Sequence, residues 1–169
     1  LHSFPTRRSS DLELDNYDYI ILTKSSKDRL SIGAHLSTLP LYGVCGTKLN
    51  IGVINLPSEG YHLTEQEYTY LSNKLTLDGI IISFLDFDKT GRHGAKYLKE
   101  TYNIPYIFIT RGEFGLYDYK CKDFAELHDI YSIDEINQFI KETITYIELK
   151  YGKREYYTDS NGERLPFVM

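Results

Sequence analysis

Residues 79–94, Gly-Ile-Ile-Ile-Ser-Phe-Leu-Asp-Phe-Asp-Lys-Thr-Gly-Arg-His-Gly, constrain this chain more than any other stretch. The apolar, β-branched run over 80–85 has the length and content of a strand buried on both faces. It stops at two carboxylates, Asp86 and Asp88, followed by a glycine, a basic pair and a helical pattern. Side chains two apart on an extended chain point the same way, so both carboxylates face one spot beyond the strand's carboxyl end. Open α/β sheets bind their ligands there. Two converging carboxylates repel unless a cation lies between them. Mg²⁺ suits such a place, because it is hard, takes oxygen ligands and uses one or two carboxylates with water and phosphate. The plainer reading is a strand-end turn with two solvated aspartates.

The first twelve residues, LHSFPTRRSSDL, fit no structural period and resemble translated sequencing adapter, so 1–12 is expected to be foreign to the fold. The expected division is 1–12 as a non-native segment, 13–151 as one α/β domain and 152–169 as a charged tail that is loosely ordered or docks on another domain. The natural chain is expected to extend upstream. The chain carries −5 formally; Arg7, Arg8 and Asp11 leave a net +1 in the adapter-like part, so the rest stands at −6. An acidic domain argues against broad, non-specific DNA binding, and any contact with nucleic acid must come from a local basic patch or a metal. No apolar run reaches membrane-spanning length, so no membrane role is expected. Cys45 and Cys121 have no metal-type spacing and read as buried reduced thiols of a cytoplasmic protein, in a bacterial host if phage-encoded.

Strands are expected over 17–23, 51–56, 80–85 and 106–110. A helix from Ser25 or Ser26 to about Leu39 follows the first, and Pro40 ends it. Thr64 with Glu67 three residues on reads as a capping box, with Leu63 and Tyr68 placed as a hydrophobic staple. A helix over 92–102 follows the carboxylates, and a long amphipathic helix over 133–151 carries Ser132 and Glu135 as a second capping box. Alternation of strands and helices predicts a mainly parallel sheet of about four strands with helices on both faces and right-handed crossovers.

Four stretches together resemble the Toprim domain, found in DNA primases, topoisomerases and related nucleases, and most of all its form in phage-type primases. These are Ile21-Leu22-Thr23-Lys24-Ser25-Ser26-Lys27-Asp28, Asn55-Leu56-Pro57-Ser58-Glu59, Leu85-Asp86-Phe87-Asp88-Lys89-Thr90-Gly91 and Lys122-Asp123. The likeness spans roughly 17–142. It implies a Toprim-like Rossmannoid fold and Mg²⁺- or Mn²⁺-dependent nucleotidyl transfer for RNA primer synthesis. It also implies a DNA template and nucleoside triphosphates as substrates, and a replicative helicase domain or protein as partner. Asp86, Asp88 and Asp123 would be the metal ligands, and Lys24, Asp86 and Asp88 the catalytic set. Lys24, Lys27, Lys89, Arg92 and Lys96 would meet phosphate or nucleic acid.

Most Toprim domains carry a glutamate where Lys24 stands. Lysine binds no Mg²⁺ and acts as a base only with a lowered pKa; here it would pair a phosphate or neutralise the aspartates. That departure favours a second reading, a non-catalytic Toprim-derived module that recruits a helicase or nucleic acid. A Toprim nuclease would use the same site. The segment Asp86-x-Asp88-x-Thr90 also matches the first motif of haloacid-dehalogenase-like phosphatases, with Asp86 as nucleophile, yet two strand–helix units precede it here. His93 reads as an exposed helix-start histidine, Glu59 as a turn carboxylate, and His35, His62 and His128 share no spacing.

Overall fold

The computed structural model describes residues 16–43, 46–57, 61–107 and 121–151 in full, and the backbone of 156–158 and 164–166. The expectations for 1–12, Cys45 and Glu59 lie outside the described residues. The elements run β1 (Tyr17–Thr23), α1 (Ser26–Thr38), β2 (Ile51–Asn55), α2 (Glu65–Ser72), β3 (Leu75–Ser83) and α3 (Lys89–Tyr102). A 3₁₀ helix (Ala125–Asp129), α4 (Ile133–Tyr151), β4 (Tyr156–Thr158) and β5 (Arg164–Pro166) follow. The first three strands form a parallel sheet in the order β2-β1-β3. Ile21 of β1 sits between Val53 of β2 and Ile82 of β3. This is a mixed α/β fold with a small parallel sheet flanked by helices.

Strand alternation sorts the apolar residues onto two faces. Ile20, Leu22, Ile54 and Ile81 pack with Leu71 of α2 and with Ala95 and Leu98 of α3. Tyr19, Ile21, Val53 and Ile82 pack with Ile32 of α1 and with Ile136, Phe139 and Ile140 of α4. Both faces are therefore covered, which is why β1 reads as a continuous apolar run rather than an alternating one. Each isoleucine or leucine withdrawn from water in this way contributes about 1.5–3 kcal/mol.

The helix starts follow their caps. Ser25 accepts from the Asp28 N–H at 3.0 Å. Thr64 and Glu67 form the reciprocal capping box at α2. Ser132 and Glu135 do the same at α4, through contacts of 2.9 and 3.3 Å. Helix α3 starts at Lys89 rather than 92 because Asp88 itself is its cap. It ends on Asn103 in the left-handed conformation, φ 55°, a common helix stop.

Two further boundaries differ from expectation. Strand β3 begins at Leu75 rather than 80, although Leu77 is 94% exposed. Hydrogen bonding to β1 rather than burial makes this half a strand, so an apolar pattern misses it. The register slips between Tyr17 and Tyr19, where the Tyr17 carbonyl lies 2.7 Å from the place a Cβ on Gly79 would occupy. At its other end β3 stops at Ser83, although the Phe84 N–H still donates to the Leu22 carbonyl at 2.7 Å. Of the expected fourth strand, Tyr106 forms a parallel bridge with Ser83, and the Ile107 N–H donates to the Ser83 carbonyl at 2.9 Å. Residues 108–110 lie outside the described residues. Within the tail, β4 and β5 pair antiparallel. Among the described residues no helix is long and apolar enough to cross a membrane.

Candidate functional site

The carboxyl ends of β1 and β3 lie side by side, so the turns that leave them share one edge of the sheet. Lys24 is the first residue after β1. Its ammonium donates to Asp86 Oδ2 at 2.8 Å, with side-chain exposures of only 11% and 8%. Asp86 therefore enters the structure as half of a buried ion pair, a group whose desolvation is offset only while its partner stays.

Asp88 has a different environment. Its Oδ1 accepts the Gly91 N–H at 2.8 Å as the α3 cap, and its Oδ2 lies 3.9 Å from the Lys122 ammonium. The Gly91 N–H above all, then the positive charges of Lys24 and Lys122, hold its carboxyl below the usual range. The glycine is a packing requirement. A Cβ on Gly91 would come within 1.9 Å of the Asp86 carbonyl oxygen, so the spacing Asp-x-Asp-x-x-Gly lets the helix start against the backbone of its own strand-end turn.

Asp123 reaches this edge from far along the chain. The Phe87 N–H, between the two aspartates, donates to the Lys122 carbonyl at 2.7 Å. Asp123 Oδ1 accepts the Glu126 N–H at 3.0 Å and lies 3.5 Å from the exposed Lys27 ammonium. Phe84 touches Phe87 and Phe124 edge-on, which braces the two segments from the core side.

Asp28 belongs to the same cluster and was not among the expected site residues. It is 3% exposed. Ser25 Oγ donates to its Oδ2 at 2.7 Å, and the Ala125 N–H donates to its Oδ1 at 3.0 Å. Burial raises its carboxyl above the usual value against the lowering effect of those bonds, and Asp123 and Asp86 add repulsion. Its position three residues after Ser25 was the available signal, since a cap followed by an acid commonly closes a helix start.

The expected phosphate-binding residues divide. Lys24 lies at the centre, and Lys27 reaches Asp123. Lys89 and Arg92 are exposed in the first turn of α3. Lys96 lies on an exposed face beside Glu100 at 3.6 Å. His93 is exposed, as expected. His35 and His128, which share no spacing in sequence, are in contact: their Nε2 atoms are 3.2 Å apart, with Asn137 Oδ1 2.7 Å from His35 Nδ1. This pair lies on the α1 and α4 flank. Cys121 is buried and free, and burial raises its thiol above the usual value.

The donors at the edge are hard carboxylate oxygens, which fits Mg²⁺ in kind. Among the described residues, however, no three acidic, histidine or cysteine side chains are gathered to hold a metal. The Lys24 ammonium already lies on Asp86 and acts on Asp88. A cation using both carboxylates would have to share Asp86 with the Lys24 ammonium, which lies on Oδ2. No protein-family model matches this chain, and neither a curated protein nor a solved structure matches it.

Proposed function

We propose that this chain is a Toprim-like domain of a DNA primase-like protein, serving metal-dependent nucleotidyl transfer to a primer end. The observation that carries the reading is the gathering of Lys24, Asp86, Asp88 and Asp123 at the carboxyl edge of a parallel sheet, from turns remote in sequence. A Mg²⁺ or Mn²⁺ ion held by Asp86 and Asp88, with Asp123 near, would supply Lewis-acid polarisation of a phosphate. The chain's own part is positional. Lys24 would pair a phosphate oxygen in exchange for Asp86, and the exposed Lys27, Lys89 and Arg92 would present further cations to a polyanionic substrate. DNA template and nucleoside triphosphates are the substrates of this reading, and a replicative helicase its partner.

The Lys24–Asp86 pair also favours a second reading. An ammonium already neutralising Asp86 is what a domain without its own chemistry would hold, and such a domain would recruit a helicase or nucleic acid. Asp88→Asn separates the two, because asparagine caps a helix as well as aspartate and so removes charge without removing α3. Primer synthesis is measured with the protein that carries this domain, on a single-stranded template with ribonucleotides and Mg²⁺. In the enzymatic reading Asp88→Asn and Asp86→Asn each lower synthesis roughly a hundredfold or more, with the circular dichroism of Asp88→Asn unchanged. Undiminished synthesis by Asp88→Asn rules out catalysis at this edge and leaves the recruitment reading.

A further inference from the structure

Beside the ion pair, between the loop that enters α2 and the first two turns of α3, lies a hollow of about 140 Å³. Lys24 forms part of its wall, with Leu56 and Leu85 from the strand ends and Tyr61, His62 and Tyr97 as aromatic neighbours. Larger hollows of about 290 and 330 Å³ open elsewhere, beside Lys48–Ile51 and around Tyr17 and Gly33, and neither includes a residue of the carboxylate cluster. The smaller one shares a side chain with the charged edge and is lined mostly by carbon.

Its aromatic wall is organised. The His62 and Tyr97 rings lie 4.2 Å apart between centroids, tilted by 31°. The Tyr61 hydroxyl is hydrogen-bonded to Glu67, the residue that also closes the α2 capping box. Burial, then that bond, pushes the Tyr61 phenol up to about 12, so it stays a neutral hydrogen-bond donor. Tyr97 also meets Tyr102 edge-on, which fixes its ring from behind. A flat, neutral, aromatic ligand gains here by stacking, and a charged one gains only at the Lys24 end.

We propose that this hollow is a nucleobase subsite, which receives the base of a nucleotide whose phosphates lie at Lys24 and the start of α3. The inference rests on the phosphate-handling role proposed above for that edge. It adds that the aromatic group of Tyr61, His62 and Tyr97 carries a share of nucleotide affinity independent of the phosphates. Stacking tolerates any base, because every base has a π face, so the subsite would favour nucleotides over bare phosphate without choosing among the four.

The test compares ATP, CTP and inorganic tripolyphosphate by calorimetry in Mg²⁺ buffer, on the wild type, His62→Ala and Tyr97→Leu. His62 is exposed, so His62→Ala leaves the core untouched, and Tyr97→Leu keeps an apolar side chain against the core cluster that Tyr97 covers. The expected result is that both nucleotides bind the wild type roughly five- to a hundredfold tighter than tripolyphosphate. Both variants shrink that ratio while leaving tripolyphosphate affinity within about twofold. Equal affinity of nucleotides and tripolyphosphate for the wild type overturns the subsite and leaves the phosphate role standing. Nucleotide binding without tripolyphosphate binding overturns the phosphate role alone, and absence of binding by all three ligands overturns both.

Discussion

The turn from β1 into α1 and the turn from β3 into α3 both close a buried parallel strand with a side-chain cap, yet they hold their carboxylates in opposite ways. In the first, Ser25 caps the helix, and Asp28 behind it is buried, bonded by a hydroxyl and by the Ala125 N–H. In the second, the acid is the cap: Asp88 takes the Gly91 N–H and stays half-open. Burial raises the first carboxyl, and hydrogen bonding with nearby cations lowers the second. A carboxylate with all its partners inside the protein serves as a brace, here tying α1 to the 3₁₀ helix. One with an oxygen toward solvent remains available to a ligand. Asp86 lies between these cases, buried like Asp28 but held by a lysine ammonium rather than by hydrogen bonds from a hydroxyl and the backbone.

The largest expected effect comes from removing that lysine. Lys24→Met keeps the apolar stem and leaves Asp86 buried without its ammonium. This destabilises by about 3–5 kcal/mol, read from urea denaturation near neutral pH. The double variant Lys24→Met/Asp86→Asn removes both charges and recovers most of that loss. If the double variant is no better than the single one, the pair is not what holds this edge, and Asp86 belongs with the solvated carboxylates.

Gly91→Ala comes next. Its Cβ would fall against the Asp86 backbone, so α3 must shift outward, at a cost of about 3 kcal/mol. The shift moves the Asp88 cap away from Asp86 while leaving the β1 turn in place. Hydrogen exchange should therefore rise in the first turn of α3 and stay unchanged in the first turn of α1. Equal change in both turns would mean that the edge moves as one body and that the comparison between them is false.

The sequence discloses the helix start of the first of these turns better than that of the second. Helix caps were legible wherever an apolar stripe followed a Ser or Thr, as at Ser25, Thr64 and Ser132, because the cap and the stripe report the same helix. The start of α3 is less legible, because the spacing of Asp86 and Asp88 points to a ligand site and the bond from Gly91 to Asp88 exists only in the folded turn. The expected β3 is short because Leu77 and Asp78, in the half that pairs with the start of β1, stay in water and break the apolar pattern. Lys24 next to Asp86, Asp28 against Ala125, and His35 against His128 join residues 62, 97 and 93 positions apart. No local pattern encodes such distances; the crossovers of the sheet create them. The aromatic wall of Tyr61, His62 and Tyr97 was hidden for the same reason, since its members come from a loop and a helix that meet only after folding.

The smallest effect is in the acid response, where the two turns should part in sign. Asp88 has a lowered carboxyl in the fold, so its contribution is complete at neutral pH and is lost as pH falls toward and below the ordinary value of 3.8. Asp28 has a raised one, so the native state takes up its proton before the unfolded chain does. Acidification through that range therefore favours the native state at Asp28 and partly offsets the loss at Asp88. Asp88→Asn should flatten the acid limb of stability against pH, because the capping bond survives without a titrating group. Asp28→Asn should steepen that limb, because the offsetting gain disappears, while asparagine's oxygen still accepts the Ala125 N–H. Urea denaturation of the three proteins from neutral pH down to about one unit below the ordinary carboxylate pKa reads both slopes. A flattened limb in Asp28→Asn would mean that its hydrogen bonds outweigh its burial, making it a carboxylate of the same kind as Asp88.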